Sequence, residues 1–139
     1  MAYWLFKSEP ETWSWDDQVR KGIEPWDGVR NYQACAYMKE MQKGDLAFFY
    51  HSGKEKRIVG IVEIVKTYYP DSTDESGRFG MVDVKAVGCL QKPVTLDEIK
   101  RDSRLSDMRL VRQSRLSVMP IQEVQWRLIL EKGSIGENI

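Results

Sequence analysis

Three long runs of β-branched and aromatic residues fill the centre of the chain, and they constrain its fold more than any other feature. The runs from Leu46 to His51 and from Ile58 to Tyr68 are joined by a polar turn and predict a β-hairpin. The run from Phe79 to Leu90 predicts a third strand. Shorter strands are predicted near the two ends of the chain, from Tyr3 to Lys7 and from Arg115 to Met119.

Capping residues and helix breakers predict short helices around these strands. Ser14, Asn31 and Thr95 are typical N-cap residues, and Thr95 opens a capping box with Glu98. Three predicted helices run from Ser14 to Gly22, from Asn31 to Gly44 and from Thr95 to about Arg101. A last helix is predicted to begin with Pro120 at its first position and to end at Gly133. A further helical turn is predicted between Ser106 and Arg112. Gly60 predicts a bulge or a close backbone approach, and residues 136–139 are expected to fray. This pattern predicts an α+β domain built on a small, highly curved sheet or barrel.

The length and composition predict a single domain, residues 1–139, that needs neither a disulfide framework nor a structural metal to fold. Cys35 and Cys89 lack the spacing of a zinc or redox motif, so we expect buried thiols in a reducing compartment. His51 is the only histidine, which excludes multi-histidine metal sites. The apolar part of the N-terminus is too short for a signal peptide or a transmembrane helix. We therefore expect a cytoplasmic monomer without membrane contact, metal or cofactor.

The sequence motifs of several enzyme classes are absent. The chain has no G-x-x-x-x-G-K-[ST] phosphate loop, no G-x-G-x-x-G dinucleotide motif and no G-x-S-x-G nucleophile elbow. A Ser–His or Cys–His dyad that includes His51 is arithmetically possible, but no residue near His51 marks a nucleophile. The formal net charge is zero, from 21 basic and 21 acidic side chains, which argues against a polybasic nucleic-acid binder and leaves room for a local basic face.

Two polar segments close to aromatic residues are candidates for a binding pocket. The chain is 11% aromatic with five tryptophans, several of which lie beside polar or turn residues. Lys7–Pro10 follows the first strand and can project donors and an acceptor into a shared mouth, or it can be a solvated strand end. Trp26–Asn31 offers an indole face, a glycine and two planar donor groups, which suit a base edge or a phosphate. The alternative is that Trp26 anchors the loop in the core and Asn31 caps a helix.

A basic stretch late in the chain is the third candidate. Residues 100–127 carry seven basic and three acidic side chains, a net charge of +4, whereas residues 1–30 carry four basic and six acidic ones, a net charge of −2. Ser114 and Ser117 are interleaved with Arg112 and Arg115, and hydroxyls beside guanidinium groups can cradle a phosphate. The alternative is a solvated helical face that pairs with the acidic first third of the chain. Together, the three segments have what a pocket for a flat heterocycle beside a phosphate needs.

Six motifs, in order along the chain, resemble those of the EVE domain family. They are Lys7–Pro10, Trp26–Asn31, Gly44-Asp45 with Phe49–Ser52, Gly60–Glu63, Pro93–Leu96 and Ser114–Val118. The resemblance extends from Tyr3 to about Leu130. It implies a PUA-like fold, a small mixed β-barrel flanked by short helices, related to the RNA-binding PUA domain and to the YTH domain, which reads N6-methyladenine in RNA. It also implies kinship with the thymocyte nuclear protein of eukaryotes and a role in recognising modified bases.

The resemblance further implies a set of site residues. The pocket would be formed by Ser8, Glu9, Trp26, Arg30, Asn31, Tyr50, His51 and Ser52. Its rim would include Arg115 and Ser117, to which the first strand and the basic stretch add Lys7, Arg112 and Ser114. Arg30 takes the position nearest one tryptophan of the YTH methyl cage, so Trp26 or Tyr50 would stack the base.

We therefore predict a non-enzymatic reader of a modified nucleobase in DNA or RNA, for example methylated or hydroxymethylated cytosine or methylated adenine. A flipped-out or single-stranded base would stack on Trp26 or Tyr50. Its polar edge would be read by Ser8, Glu9 and Asn31, and the adjacent phosphate would be held by Arg112 and Arg115. The alternative is a small-molecule binding protein or enzyme for a nucleotide, nucleoside or acidic metabolite, with Glu9 and His51 as an acid/base pair. A groove that binds a peptide is a third possibility.

Overall fold

The structure is a computed structural model that describes residues 1–134. Its strands are β1 (Tyr3–Ser8), β2 (Ile23–Pro25), β3 (Leu46–His51), β4 (Arg57–Pro70), β5 (Gly80–Thr95) and β6 (Val118–Ile121). Its helices are α1 (Trp15–Lys21), α2 (Tyr32–Glu40), α3 (Leu96–Arg101), α4 (Arg109–Arg112) and α5 (Glu123–Lys132). The expected fraying of residues 136–139 lies outside the described residues.

The six strands form one mixed sheet in the order β2-β5-β4-β3-β1-β6. β1 runs parallel to β3, and the other neighbouring strands are antiparallel. The predicted α+β class is confirmed, and of the two predicted forms, a curved sheet or a barrel, the structure has an open sheet, because within residues 1–134 the edge strands β2 and β6 do not pair with each other. Both edge strands contain a proline, Pro25 and Pro120, and proline removes a ladder donor and is typical of strands that end a sheet.

The hydrophobic core lies around β3 and the strands on either side of it, β1 and β4. All six residues of β3 are buried, and Leu5 and Phe6 of β1 have no exposed surface. Four of the five tryptophans are less than one-tenth exposed, which places them in or against the core. Trp13 is the half-buried exception.

Three of the predicted helix starts, at Ser14, Asn31 and Thr95, are confirmed by their hydrogen bonds. The Asn31 side chain accepts from the Ala34 amide at 2.9 Å at the start of α2. Ser14 caps α1 and Thr95 caps α3, each within a complete capping box. The second helix is shorter than predicted and ends at Glu40.

Three elements differ from the sequence predictions. β2 was not predicted, because three residues ending in proline carry no periodic signal. β5 continues through Pro93 to Thr95, where the sequence predicted a change to helix. Pro120 lies in β6 opposite Trp4 and not at the start of the last helix, since an edge strand tolerates the missing N–H.

The predictions for two small residues of the sheet, Gly60 and Cys89, had different outcomes. The ladder register shifts beside Gly60, as the predicted bulge requires, and a Cβ atom there would lie 2.6 Å from the Trp15 ring, so the close neighbour is a side chain and not backbone. Cys35 is buried as expected, but Cys89 on β5 is exposed.

None of the helices in residues 1–134 is long and apolar enough to cross a membrane.

Candidate nucleic-acid interface

A cavity of about 500 Å³ opens where β1 ends and the loop between β2 and α2 passes beside it. It is lined by Lys7, Ser8, Glu9, Thr12, Trp13, Glu24, Pro25, Trp26, Asp27, Gly28, Val29, Arg30 and Ser117. We call it the tryptophan cavity. Of the predicted site residues it contains Ser8, Glu9, Trp26 and Arg30, with Lys7 and Ser117 from the predicted rim.

A tight turn after β1 positions Trp13, which the sequence analysis did not single out. The Glu9 carbonyl accepts from the amides of Thr12 and Trp13 at 2.9 and 2.8 Å. The Ser8 hydroxyl donates to the Trp13 carbonyl, and the Trp13 indole N–H donates to the Gln18 side chain at 2.9 Å. These bonds hold the indole in place, so the cavity has a fixed aromatic wall. The only sequence signal was a tryptophan among polar turn residues.

Trp26 serves both the core and the cavity. Its ring centroid lies 5.1 Å from that of Phe6 and 5.7 Å from that of Phe49, and only 9% of the residue is exposed. Its amide donates to the Val82 carbonyl at 2.7 Å. Both interpretations from the sequence therefore apply, since Trp26 anchors the loop and also lines the cavity.

The loop that follows Trp26 is fixed by a buried carboxylate from another part of the chain. Asp71 accepts from the Gly28 amide at 2.8 Å and from the Arg30 guanidinium at 3.0 Å. Its other oxygen accepts from the amide and hydroxyl of Thr73 at 2.8 and 2.6 Å. Burial alone would raise the pKa of Asp71, but the bonds from Thr73, Gly28 and Arg30 outweigh it and lower the pKa to about 2. Gly28 has a φ of +81°, a conformation that favours glycine.

The polar lining of the tryptophan cavity is rich in acceptors. Glu9 and Asp27 are exposed, and within residues 1–134 their carboxylates have no side-chain hydrogen bond or ion pair. Glu24 pairs with Lys21 at 3.0 Å. The Lys7 ammonium donates to the Ser114 carbonyl at 2.7 Å, and burial lowers the pKa of Lys7. Free carboxylates at a cavity mouth are suited to accept hydrogen bonds from amino groups of a ligand.

A second depression of about 360 Å³ lies beside the cavity and contains most of the predicted rim. It is lined by Asn31, Gln33, Arg112, Gln113, Ser114, Arg115 and Leu116, and we call it the arginine cleft. Its lining contains no acidic residue. Asn31, predicted for the pocket, lies here with its side-chain oxygen engaged in capping α2.

The three predicted pocket residues at the end of β3 do not line the cavity. Tyr50 is 3% exposed, and burial raises the pKa of its phenol to about 12. His51 accepts from the Trp15 amide at 3.0 Å through Nε2, while Nδ1 lies 2.9 Å from Glu55, as a neutral Nδ1–H ring allows. The Ser52 amide donates to the Ser8 carbonyl at 2.9 Å. These residues support the strand end behind Ser8.

No cluster of three or more histidine, cysteine or acidic residues suited to a metal ion is found among the described residues.

Comparison with known proteins identifies the family. The family model described as EVE domain matches residues 2–132. Thymocyte nuclear protein 1 of Rattus norvegicus is 35% identical over 167 residues, covering 92% of this chain and 72% of the relative. The NMR structure of a protein from Rhodopseudomonas palustris is 52% identical with a TM-score of 0.92, covering 96% of this chain and 94% of the other.

Two solved structures of similar proteins contain nucleic acid. The human THYN1 protein in complex with DNA containing 5-methylcytosine is 32% identical with a TM-score of 0.92, and the alignment covers 98% of this chain and 99% of the other. The YTH domain of Zygosaccharomyces rouxii MRB1, in complex with N6-methyladenosine RNA, is 17% identical with a TM-score of 0.57 over 97% and 88% of the two chains, a likeness of fold alone. The expected PUA-like fold and the kinship with thymocyte nuclear protein are confirmed, and the YTH domain shares the fold.

The six sequence motifs and the family model, which matches residues 2–132, point to the same family. The open mixed sheet is consistent with this assignment. The chain therefore belongs to the EVE domain family.

Proposed function

We propose that this protein is a non-enzymatic reader that binds a modified nucleobase of DNA or RNA in the tryptophan cavity. The observation that carries the proposal is the combination of two indoles, Trp13 and Trp26, with the unpartnered carboxylates of Glu9 and Asp27 around one cavity. Its volume of about 500 Å³ is within the usual size of ligand pockets and is large enough for a base with its substituent. The 5-methylcytosine DNA bound by the human relative supports this class of ligand.

The chemistry of the lining favours a base with an exocyclic amino group. Indole rings stack on any base, so Trp13 and Trp26 supply affinity without choosing among bases. The carboxylates of Glu9 and Asp27 accept hydrogen bonds, as acidic side chains do from cytosine N4. Thymine and uracil have no exocyclic amino group. Cytosine, adenine and guanine all carry an exocyclic amino group, so a modified base of this kind fits the lining better than thymine or uracil.

A base enters such a cavity only when it is out of the helical stack. The cavity lies between a strand end and a loop, and a base inside a duplex cannot reach it without being flipped. The cost of unpairing and unstacking is absent for a single strand. We therefore expect single-stranded oligonucleotides to bind more tightly than duplexes of the same sequence.

The geometry gives no support to an enzyme in which Glu9 and His51 form an acid/base pair. His51 does not line the cavity, and both of its ring nitrogens already have partners in Trp15 and Glu55. The alternative hypothesis, a small-molecule binding protein, is then supported only by the presence of the cavity. A free nucleoside and a base within an oligonucleotide share the stacking and edge contacts, so binding experiments must compare the two.

The test is fluorescence anisotropy with labelled single-stranded 12-mers that carry cytosine, 5-methylcytosine, 5-hydroxymethylcytosine, adenine or N6-methyladenine at one central position. The protein should prefer one modified oligonucleotide over its unmodified counterpart. Glu9→Gln keeps the size of the side chain and removes the charge, so it should weaken binding of that oligonucleotide about tenfold or more. Glu11→Gln is the matched control, since Glu11 is exposed on the same turn and lies outside the cavity.

Trp13→Ala separates stacking from edge recognition. Trp13 is half-buried, and its removal should cost about 1–3 kcal/mol of binding free energy for all the oligonucleotides alike. Circular dichroism should show an unchanged fold. Equal binding of modified and unmodified oligonucleotides by the unaltered protein, or unchanged affinity after Trp13→Ala, would show that the cavity does not read bases.

A further inference from the structure

Tyr32 presents an aromatic ring to solvent beside the tryptophan cavity. It is 64% exposed, whereas every other aromatic residue of the chain is buried or half-buried. Its ring packs against Phe79, with the two ring centroids 5.0 Å apart and an angle of 35° between the ring planes. Phe79 therefore covers one side of the Tyr32 ring, and the large exposed fraction leaves the other side open. An open aromatic ring of this kind offers a stacking surface to a nucleobase.

The backbone on both sides of this ring pair is fixed. Tyr32 is the first residue of α2, directly after the Asn31 cap. The Phe79 amide donates to the Asp74 carboxylate at 2.8 Å, and the Phe79 carbonyl accepts from the Asp71 amide at 3.2 Å. A base that stacks on Tyr32 therefore meets a surface that is already in place, which lowers the entropy cost of binding.

The Tyr32 ring lies close to the cavity. Arg30, which lines the cavity, is two residues before Tyr32, a span of at most about 7 Å between the two Cα atoms. The Arg30 guanidinium also lies 5.6 Å from the centroid of the Phe79 ring. Successive nucleotides of a strand are about 3.4 Å apart when they are stacked and farther apart when one base is flipped out. Two neighbouring nucleotides can therefore reach the cavity and the Tyr32 ring at the same time.

We propose that Tyr32 stacks the nucleobase next to the one held in the cavity, so that this protein binds two successive nucleotides of a strand. The inference rests on the proposed function of the cavity. A base that leaves the helical stack exposes one face of its neighbour. The open side of the Tyr32 ring replaces that lost stacking contact. Because every base has a π-face, this second contact adds affinity without adding a preference for sequence.

The experiment combines a change in the protein with a change in the oligonucleotide, measured by fluorescence anisotropy. The single-stranded 12-mer that binds most tightly is compared with two versions that carry an abasic site immediately 5′ or 3′ of the central base. One of the two abasic versions should bind the unaltered protein about fivefold or more weakly, the lower end of the loss expected for one base–aromatic stack. Tyr32→Leu should weaken binding of the intact 12-mer by the same factor. In this variant the same abasic site should have no further effect, because the two changes remove one contact.

Control variants separate stacking from packing. Tyr32→Leu keeps an apolar side chain over Phe79 and removes the aromatic face, whereas Tyr32→Phe keeps the ring and should bind like the unaltered protein. Val124→Ala alters an equally exposed residue that lines neither the cavity nor the cleft, and it should bind all three 12-mers with unchanged affinity. Binding of the free modified nucleoside to Tyr32→Leu, followed by tryptophan fluorescence, should also be unchanged.

Three results would overturn the inference. The first is unchanged affinity of the unaltered protein for both abasic 12-mers. The second is a loss in Tyr32→Leu that is as large for both abasic 12-mers as for the intact one, which would show that Tyr32 supports the loop and contacts no base. The third is weaker nucleoside binding by Tyr32→Leu, which would show that Tyr32 acts through the cavity. The proposed function fails separately, when the unaltered protein does not distinguish modified from unmodified oligonucleotides.

Discussion

Replacing the buried carboxylate of Asp71 tests how the wall of the tryptophan cavity is held. The side chain has no exposed surface, and both of its oxygens accept two hydrogen bonds, from Gly28 and Arg30 on one side and from Thr73 on the other. Asp71→Asn keeps the shape but puts an amide nitrogen against two donors, whichever way the amide is turned. The loss of charge-assisted bonds and the buried donor conflict should cost about 2–4 kcal/mol of unfolding free energy.

The lowered pKa of Asp71 makes the same interactions depend on pH. Its value falls from 3.8 to about 2 in the folded protein, a difference that corresponds to about 2.5 kcal/mol. Because the folded pKa lies below the unfolded one, this stabilisation is complete above about pH 4 and is lost as the pH falls towards 2. The difference in stability between the unaltered protein and Asp71→Asn should therefore be about 1 kcal/mol smaller at pH 3 than at pH 7.

Urea unfolding followed by circular dichroism at pH 7 and pH 3 measures both quantities, and at pH 7 the midpoint should fall by about 1 M or more. Asp107→Asn is the control, because Asp107 is exposed and has no side-chain partner within residues 1–134; its effect should be under about 0.5 kcal/mol. A cost below about 1 kcal/mol for Asp71→Asn, or a difference that does not change with pH, would refute the argument. The same variant should also bind the preferred oligonucleotide more weakly, since the loop at Gly28 and Arg30 loses its anchor.

Two further predictions concern packing and exposure. Gly60→Ala should lower the free energy of unfolding by about 1–3 kcal/mol in thermal or urea unfolding, because its Cβ would lie 2.6 Å from the buried Trp15 ring. Gly88→Ala is the control and should cost less than about 0.5 kcal/mol, because a Cβ there has no atom within 4 Å. Equal effects of the two substitutions would contradict the close approach at Gly60. In the native protein a thiol reagent should label Cys89 within the dead time of mixing and Cys35 only on unfolding, and mass spectrometry of the labelled peptides should show one site before denaturant is added and two after it.

Sequence patterns predicted the local structure well where a single local interaction determines it. The caps at Ser14, Asn31 and Thr95 follow from a side-chain acceptor placed before three free amides, and each is confirmed by its hydrogen bond. The errors arose where tertiary context overrides the local rule. Pro93 and Pro120 read as strand terminators, yet both lie in strands. For Pro120 the reason is that β6 is an edge strand, a position that only the sheet order reveals.

The candidate site was predictable only in part, for a similar reason. Ser8, Glu9 and Trp26 were singled out because they lie beside helix and strand breakers, and all three line the cavity. Trp13 was missed because a tryptophan in a turn gives no sign of whether it faces the core or a cavity. Asp71 was missed because its partners, Gly28 and Arg30, are more than forty residues away in the sequence. Contacts of this range depend on the sheet order, which no local pattern specifies.

The zero net charge limits what kind of nucleic-acid binder this protein can be. Sequence-independent affinity grows with the number of phosphates neutralised, and among the depressions described here only the arginine cleft presents guanidinium groups without carboxylates. Two arginines can neutralise few phosphates, so affinity for unmodified nucleic acid should be weak and only moderately dependent on salt. In the proposed mode of binding, most of the binding free energy therefore comes from stacking on Trp13 and Trp26 and from hydrogen bonds to the base edge. A change to the carboxylates of the cavity should therefore alter the preference among bases, whereas a change to its indoles or to the cleft should alter the affinity for all of them equally.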